Sequence, residues 1–415
     1  MENSNAKLDF IAAAQRLQGI VRRTPLIYNA RLSARYGCEV FLKREDLQVV
    51  RSYKLRGAYN MICQLSSSQL SQGIVCASAG NHAQGVAFSC DKLHTKGVIF
   101  MPEITPKQKV DQTLMFGNGM VEVVLTGDNF DDCLREALSY AAKNEMVFIP
   151  PFDDFKIIEG QGTVGVEIGE ELPDADIIIV PIGGGGLAAG LGKHLKNVNP
   201  DIKIIGAEPA GAASMRAALD NNGPVTLETI DNFVDGAAVK RIGKINFEIV
   251  SQVVDNLFLV PEGKVCTTIL KLYNEDAIVA EPAGALSVAC LNLCREEIRG
   301  KKVVCLISGG NNDIDRMQEI KERSLLYEGL KHYLIIRFPQ RPGALKLFVN
   351  KVLGPNDDIS RFEFIKKNNR ESGPALVGIE LQNPQDYVPL LERLALERFD
   401  FKEINSEQTL FEYLV

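Results

Sequence analysis

From residue 40 to about residue 310 the chain alternates short apolar runs with longer stretches of helical periodicity. Val40-Phe41-Leu42-Lys43 reads as a strand, and further strands are predicted at 74–77, 97–101, 120–125, 147–149, 176–182, 202–207, 256–260 and 302–307. Helices are predicted at 8–18, 54–65, 81–93, 106–116, 130–144, 155–171, 186–197, 212–220, 263–276 and 283–295. Runs such as Ile177-Ile178-Ile179-Val180 are apolar on both faces, as expected of parallel strands covered by helices on each side. The alternation implies an open α/β architecture with right-handed crossovers.

After about residue 325 the rhythm changes. Tyr333-Leu334-Ile335-Ile336-Arg337-Phe338 reads as a strand and Pro342-Gly343-Ala344-Leu345 as the start of a helix. Ile359 to Phe364 and Ala375 to Leu381 form a predicted strand pair around the polar segment 366–373, followed by a helix near 386–397 and a last strand near 409–413. That order, βαββαβ, is ferredoxin-like α+β. The segment 322–331 is the expected linker, leaving 332–415 as a separate domain.

At 415 residues the chain is long enough for two or three domains. Hydrophobic residues at 46% and charged residues at 24% give the balance of a soluble globular protein. A net charge of −7 argues against non-specific nucleic-acid binding. No apolar run reaches the roughly 18 residues of a membrane span, and Met1 to Asn5 lacks the start of a signal peptide. The nine cysteines show no CxxC pairs, which fits reduced, buried thiols and a cytoplasmic location. Four histidines without ligand spacing speak against zinc.

Three loops carry candidate chemistry. Ser52-Tyr53-Lys54-Leu55-Arg56-Gly57-Ala58 places a lysine between an aromatic ring and a helix start, where it can condense with a carbonyl cofactor. Ala77-Ser78-Ala79-Gly80-Asn81-His82-Ala83-Gln84-Gly85 follows a strand and opens a helix, so free N–H groups favour an anion such as a carboxylate, with Asn81 adding an amide donor. Pro181-Ile182-Gly183-Gly184-Gly185-Gly186-Leu187 also joins a strand to a helix, and its glycines can turn several N–H groups toward one phosphate. This loop carries neither GxGxxG nor a following Gly-Lys-Ser/Thr. Lysine, monophosphate cup and carboxylate loop together suggest pyridoxal 5′-phosphate acting on an amino acid. Ser308, in Ser308-Gly309-Gly310-Asn311 at the end of strand 302–307, is the candidate partner of the cofactor's ring nitrogen.

These four motifs, in this order and at these separations, resemble the threonine dehydratases (threonine ammonia-lyases) of the tryptophan-synthase-β-like, fold type II pyridoxal phosphate enzymes. The resemblance covers about residues 8–325 for catalysis and extends through the C-terminal domain. It implies that Lys54 is the Schiff-base lysine beside Tyr53 and that Gly183, Gly184, Gly185, Gly186 and Leu187 hold the phosphate. It also gives Asn81 the ring hydroxyl, Ser308 the pyridine nitrogen, and the backbone of Ser78, Ala79, Gly80, Asn81 and His82 the substrate carboxylate. A large catalytic domain of 1–51 and 153–321 would carry an inserted small domain, 52–152, that closes over substrate. Two positions depart from the family pattern: Tyr53 stands where Phe is common, and Ala79 where serine racemases carry a second catalytic Ser. A cation site is implied in part by Glu208 and the Ala212 backbone, but Ser214 replaces an acidic ligand, and Glu208 alternatively serves as a structural carboxylate.

The expected reaction is dehydration and deamination of L-threonine to 2-oxobutanoate and ammonia, the first step of isoleucine biosynthesis, with L-serine giving pyruvate. Lys54 is the expected general base. Gln340-Arg341-Pro342-Gly343-Ala344-Leu345 after a strand resembles an ACT-like regulatory module, implying inhibition by isoleucine opposed by valine. One module per chain predicts pairing between subunits in a homodimer or homotetramer. The alternatives are another fold type II enzyme, such as serine racemase or threonine synthase, or a catalytically idle amino-acid sensor.

Overall fold

The computed structural model describes residues 8–364 and 371–414. The chain divides after Asp313 into two compact units. The first holds strands β1 (Leu26–Tyr28), β2 (Glu39–Arg44), β3 (Ile74–Ala77), β4 (Gly97–Met101), β5 (Val121–Leu125), β6 (Val147–Phe148), β7 (Ile177–Pro181), β8 (Lys203–Pro209), β9 (Asn256–Val260) and β10 (Lys302–Ile307). They form two sheets, a six-stranded one in the order β1-β2-β10-β7-β8-β9 and a four-stranded one in the order β5-β4-β3-β6. All pairings are parallel except β1 against β2.

The apolar runs explain this directly. Every residue of β7, and all but the first of β10, is buried, because helices cover both faces of the sheet. β1 escapes the pattern because it is three residues long, half to fully exposed, and sits at the sheet edge. Helices Ala30–Tyr36, Lys244–Val253 and Met317–Tyr327 add to those expected.

Helix Phe155–Glu171 sets the spacing of the loops that matter. It starts cleanly because Asp154 accepts hydrogen bonds from the N–H groups of Lys156 and Ile157. One face meets helix Lys54–Ile62 so closely that a Cβ on Gly160 would lie 2.6 Å from the Gly57 Cα. Another meets helix Gly186–Val198, where a Cβ on Gly190 would lie 2.7 Å from the Gly162 nitrogen. The lysine helix and the glycine-rich helix are thus packed backbone-close against one common helix.

The second unit contains β11 (Lys331–Pro339), β12 (Asp358–Phe364), β13 (Ser372–Glu380) and β14 (Asp400–Glu403) in an antiparallel sheet of order β12-β13-β11-β14. Helices Ala344–Lys351 and Tyr387–Leu396 cover one face around Phe338, Phe348 and Leu390. The connectivity is βαββαβ, as the sequence predicts, with two corrections. The last strand is Asp400–Glu403, paired with β11, and the segment predicted as strand 409–413 lies in helix Gln408–Leu414. Leu410, Phe411 and Leu414 turn one apolar stripe of that helix onto Tyr333, Leu376 and Ile404. The segment 322–331 is not an open linker: helix Met317–Tyr327 runs into it and belongs to the second unit. It is fastened there by Glu322, which accepts hydrogen bonds from Lys331 Nζ at 2.6 Å and the Tyr333 hydroxyl at 2.7 Å.

All nine cysteines are unpaired thiols, eight of them buried. Among the described residues no helix is long and apolar enough to cross a membrane.

Candidate active site

Residues 51–53 are stitched to the end of β10. Ser52 bridges Gly309, the Tyr53 N–H donates to the Ser308 carbonyl at 3.2 Å, and the Gly310 N–H donates to the Arg51 carbonyl at 2.9 Å. This brings buried Ser308 beside the first residue of helix Lys54–Ile62. The Lys54 ammonium donates to the Pro151 carbonyl at 2.9 Å and lies 5.7 Å from the centre of the Tyr53 ring and 5.9 Å from that of Phe152. Part of the side chain faces open space, but protein atoms crowd the nitrogen. The lost hydration lowers its pKa to about 8, against the opposing attraction of Glu281.

Two residues on, Arg56 is fully buried and holds the lysine helix in place. Its guanidinium makes bidentate pairs with Glu45 (2.8 and 2.7 Å) and with Glu167 (2.7 and 3.0 Å). Burial works against the Glu45 charge, but Arg56 prevails and keeps that carboxyl below its usual range. Lys43 adds a second cation, 2.7 Å from Glu167.

The segment after β3 turns into helix Asn81–Leu93, whose first N–H groups have no acceptor in the preceding turn. The Asn81 amide is held at both ends: Nδ2 donates to Glu281 Oε1 at 2.6 Å, and Oδ1 accepts from Asn311 Nδ2 at 2.7 Å. His82 is buried with Nε2 3.0 Å from the Ile149 carbonyl; burial, then nearby Lys54, lowers its pKa to about 3. Its neutral ring therefore donates to Ile149 and braces the strand end that leads to Pro151.

The glycine-rich loop leaves the end of β7, the parallel neighbour of β10. Gly185 adopts φ +90°, a left-handed conformation that favours glycine. A Cβ on Gly183 would lie 2.7 Å from the Ala237 Cα, and one on Gly184 would lie 2.3 Å from the Phe152 ring. Asn246 Nδ2 fixes the loop from behind, donating to the Gly184 carbonyl at 2.7 Å and the Phe152 carbonyl at 3.2 Å. Among the described residues, no loop or turn backbone bond uses the N–H groups of residues 183–187. Unpaired N–H groups at a helix start, with glycines excluding side chains, fit a phosphate. With Phe152 packed on Gly184 and lying 5.9 Å from a lysine whose pKa is lowered to about 8, the residues fit pyridoxal phosphate.

Glu208 and Ala212 lie elsewhere on the six-stranded sheet, at and just beyond the end of β8. Both Glu208 oxygens accept N–H groups of helix Ser214–Asp220, from Met215 at 2.6 Å and Arg216 at 3.0 Å. Burial pushes this carboxyl up to about 7. The geometry is that of a structural carboxylate capping a helix. Among the described residues no group of three or more His, Cys, Asp or Glu side chains could hold a metal ion.

Sequence reasoning missed Glu281, Asn311, Phe152 and Asn246 at this site. Only Asn311 lies inside a recognised motif, Ser308-Gly309-Gly310-Asn311, where it was given no role. The others lie in segments whose composition gives no signal, and long-range folding alone brings them in.

Comparison with known proteins accounts for both units. Residues 17–309 match the family of pyridoxal-phosphate dependent enzymes, and residues 322–414 match the C-terminal regulatory domain of threonine dehydratase. The biosynthetic L-threonine dehydratase of Bacillus subtilis is 57% identical over 416 residues, covering 100% of this chain and 99% of that one. Its counterpart in Halalkalibacterium halodurans is 56% identical over 408 residues, covering 98% of each chain. The solved structure of the processed form of threonine deaminase isoform 2 from Solanum lycopersicum superimposes with a TM-score of 0.72 at 37% identity, covering 76% of this chain and 93% of that one. With full-length similarity and both component domains present, this chain belongs to the biosynthetic threonine dehydratase family of pyridoxal-phosphate dependent enzymes.

Proposed function

We propose that this chain converts L-threonine to 2-oxobutanoate and ammonia, and L-serine to pyruvate and ammonia, in the cytoplasm as the committed step toward isoleucine. The observation that carries the reading is the Lys54 amine, its pKa lowered to about 8 by burial, next to the residue bonded to Ser308 and near the Phe152 ring that packs on Gly184 of the glycine cup. In this reading residues 183–187 hold the cofactor's phosphate, Asn81 its ring hydroxyl and Ser308 its ring nitrogen. When bound, pyridoxal phosphate supplies a carbonyl for imine formation and an electron sink at the substrate's α-carbon.

The protein's own contribution follows from its groups. Within the 78–82 loop the N–H groups of Ala79, Asn81 and His82 bind the substrate carboxylate, since those of Ser78 and Gly80 already donate to the Phe100 carbonyl and the Ser78 hydroxyl, and the His82 ring is excluded because Ile149 already holds it. Lys54, unprotonated at slightly alkaline pH, accepts the α-proton at Nζ. Ser308 presents a neutral hydroxyl to the ring nitrogen, so no acid enforces ring protonation, and expulsion of the β-hydroxyl is favoured over prolonged charge storage. Ala79 offers no acid or base on the opposite side, which disfavours racemisation. Hydrolysis of the released enamine gives the 2-oxo acid.

The unit from Ile314 onward would bind isoleucine as inhibitor, with valine opposing it, across a contact between subunits of a dimer or tetramer. The test is 2-oxo-acid production from threonine and serine with and without isoleucine. Production of 2-oxobutanoate, suppressed by isoleucine, is expected. A folded, cofactor-loaded protein that yields no 2-oxo acid would refute the reading in favour of an idle sensor.

A further inference from the structure

Glu281 touches Asn81 but has no part in the roles above. It is the N-cap residue of helix Pro282–Cys290, a position whose acidic side chains ordinarily turn back onto the first N–H groups. Its carboxylate makes no such bond. It reaches away from its own helix, accepting from Asn81 Nδ2 at 2.6 Å and from the Asn311 N–H at 3.3 Å. Gly309 makes room for it: a Cβ there would lie 2.3 Å from Glu281 Oε1. A buried carboxylate served by so few donors is costly, and capping does not explain it.

The Asn81 amide has two N–H bonds and one oxygen. Asn311 Nδ2, itself shared with the Val50 carbonyl and Gln84 Oε1, supplies the oxygen's partner. Glu281 takes one N–H. A flipped amide would set oxygen against carboxylate and N–H against N–H, so the pair admits one orientation, leaving the second N–H for a further acceptor.

We infer that Glu281 is a positioning residue for the reaction, locking the Asn81 amide so that its remaining N–H meets the cofactor's ring oxygen. This rests on the role proposed for Asn81. The lock is complete only while Glu281 is ionised, since a protonated carboxyl can also donate. Burial, then Asp235, raises this carboxyl to about 7, with Asn81, Lys109 and the Asn311 N–H acting the other way. Lys54 and Tyr53 face it from the lysine loop, and both feel its charge. The lock therefore weakens as pH falls through about 7.

Glu281→Gln keeps the shape and removes a buried charge, so folding is retained. The holoenzyme is compared with wild type by absorbance of bound cofactor without substrate from about pH 6 to 9, and by kcat and KM for threonine. Expected are a wild-type spectral transition near neutrality that vanishes in Glu281→Gln, and a kcat lower by about tenfold, the worth of one hydrogen bond to a charged group, with KM little changed. In an Asn81→Ala background the same substitution should change neither spectrum nor kcat further, because its effect passes through Asn81. An unaltered transition in Glu281→Gln, or full additivity with Asn81→Ala, overturns the inference. Wild-type protein that forms no 2-oxobutanoate defeats the functional reading instead, and the spectral comparison is still decided without turnover.

Discussion

Gly184→Ala tests the phosphate cup by steric arithmetic. The added methyl would lie 2.3 Å from the Phe152 Cδ1 and Cγ atoms and 2.6 Å from Cε1. Carbon atoms prefer about 3.5–4.0 Å, so the overlap is more than an ångström on two atoms and about an ångström on the third. Phe152 cannot simply withdraw. Its carbonyl accepts from Asn246 at 3.2 Å and from the Asp154 N–H at 3.2 Å, and its ring forms one wall beside Lys54. Either the ring leaves its rotamer or the loop retreats from the cup. Overpacking of this kind costs about 1–3 kcal/mol. If that cost falls on the conformation that binds phosphate, the cofactor dissociation constant rises by roughly 5- to 150-fold. Titration of apoenzyme with pyridoxal phosphate, followed by visible absorbance, measures it. Gly223→Ala is the control, because a Cβ there meets nothing within 4 Å and the backbone is not left-handed. Equal affinities in the two variants would refute the assignment of the loop.

Three further outcomes are expected. Lys54→Ala should lose the visible absorbance of bound cofactor and nearly all 2-oxobutanoate formation, with circular dichroism unchanged; persistence of both signals would remove Lys54 from the chemistry. In apoenzyme, burial disfavours the charged amine, so Lys54 should react with an acylating reagent along a titration centred near pH 8, the neutral form prevailing above it; a midpoint at the ordinary value of 10.5 would contradict the burial argument. Ending the chain after Asp313, rather than inside helix Met317–Tyr327, should spare threonine turnover and abolish the isoleucine response, and an inhibition curve unchanged by the cut would place the effector in the catalytic unit.

The parallel strands were legible because a fully covered strand must be apolar on both faces, and β3, β4, β7 and β10 are. The edges were not. β1 is too short and exposed, and β14 alternates exposed and half-buried residues at the sheet margin, leaving little hydrophobic signal. The stretch around Phe411 shows the opposite ambiguity, since a short apolar run suits strand or helix until its packing partner is known. Within the site, glycines and a lysine at strand-to-helix turns announce themselves locally. Glu281 does not: it resembles a routine residue before Pro282, and its partner Asn81 is 200 positions away. Arg56 lies inside a recognised motif, yet nothing in the motif reveals that Glu45 and Glu167 complete it.

That last triad decides what could be transplanted. The lysine heptapeptide is not a module. Helix Lys54–Ile62 gives Ala58, Met61 and Ile62 to the core of the four-stranded sheet, while Arg56 is bolted to carboxylates on either side of that sheet in the sequence. A graft that carried residues 52–58 without both acids would strand a buried guanidinium, at a cost of about 3–5 kcal/mol. Recombination between relatives must therefore inherit three separated segments together, around residues 45, 56 and 167, or lose the footing of the lysine. Crossovers placed between them are tolerable only where both parents already share the two glutamates.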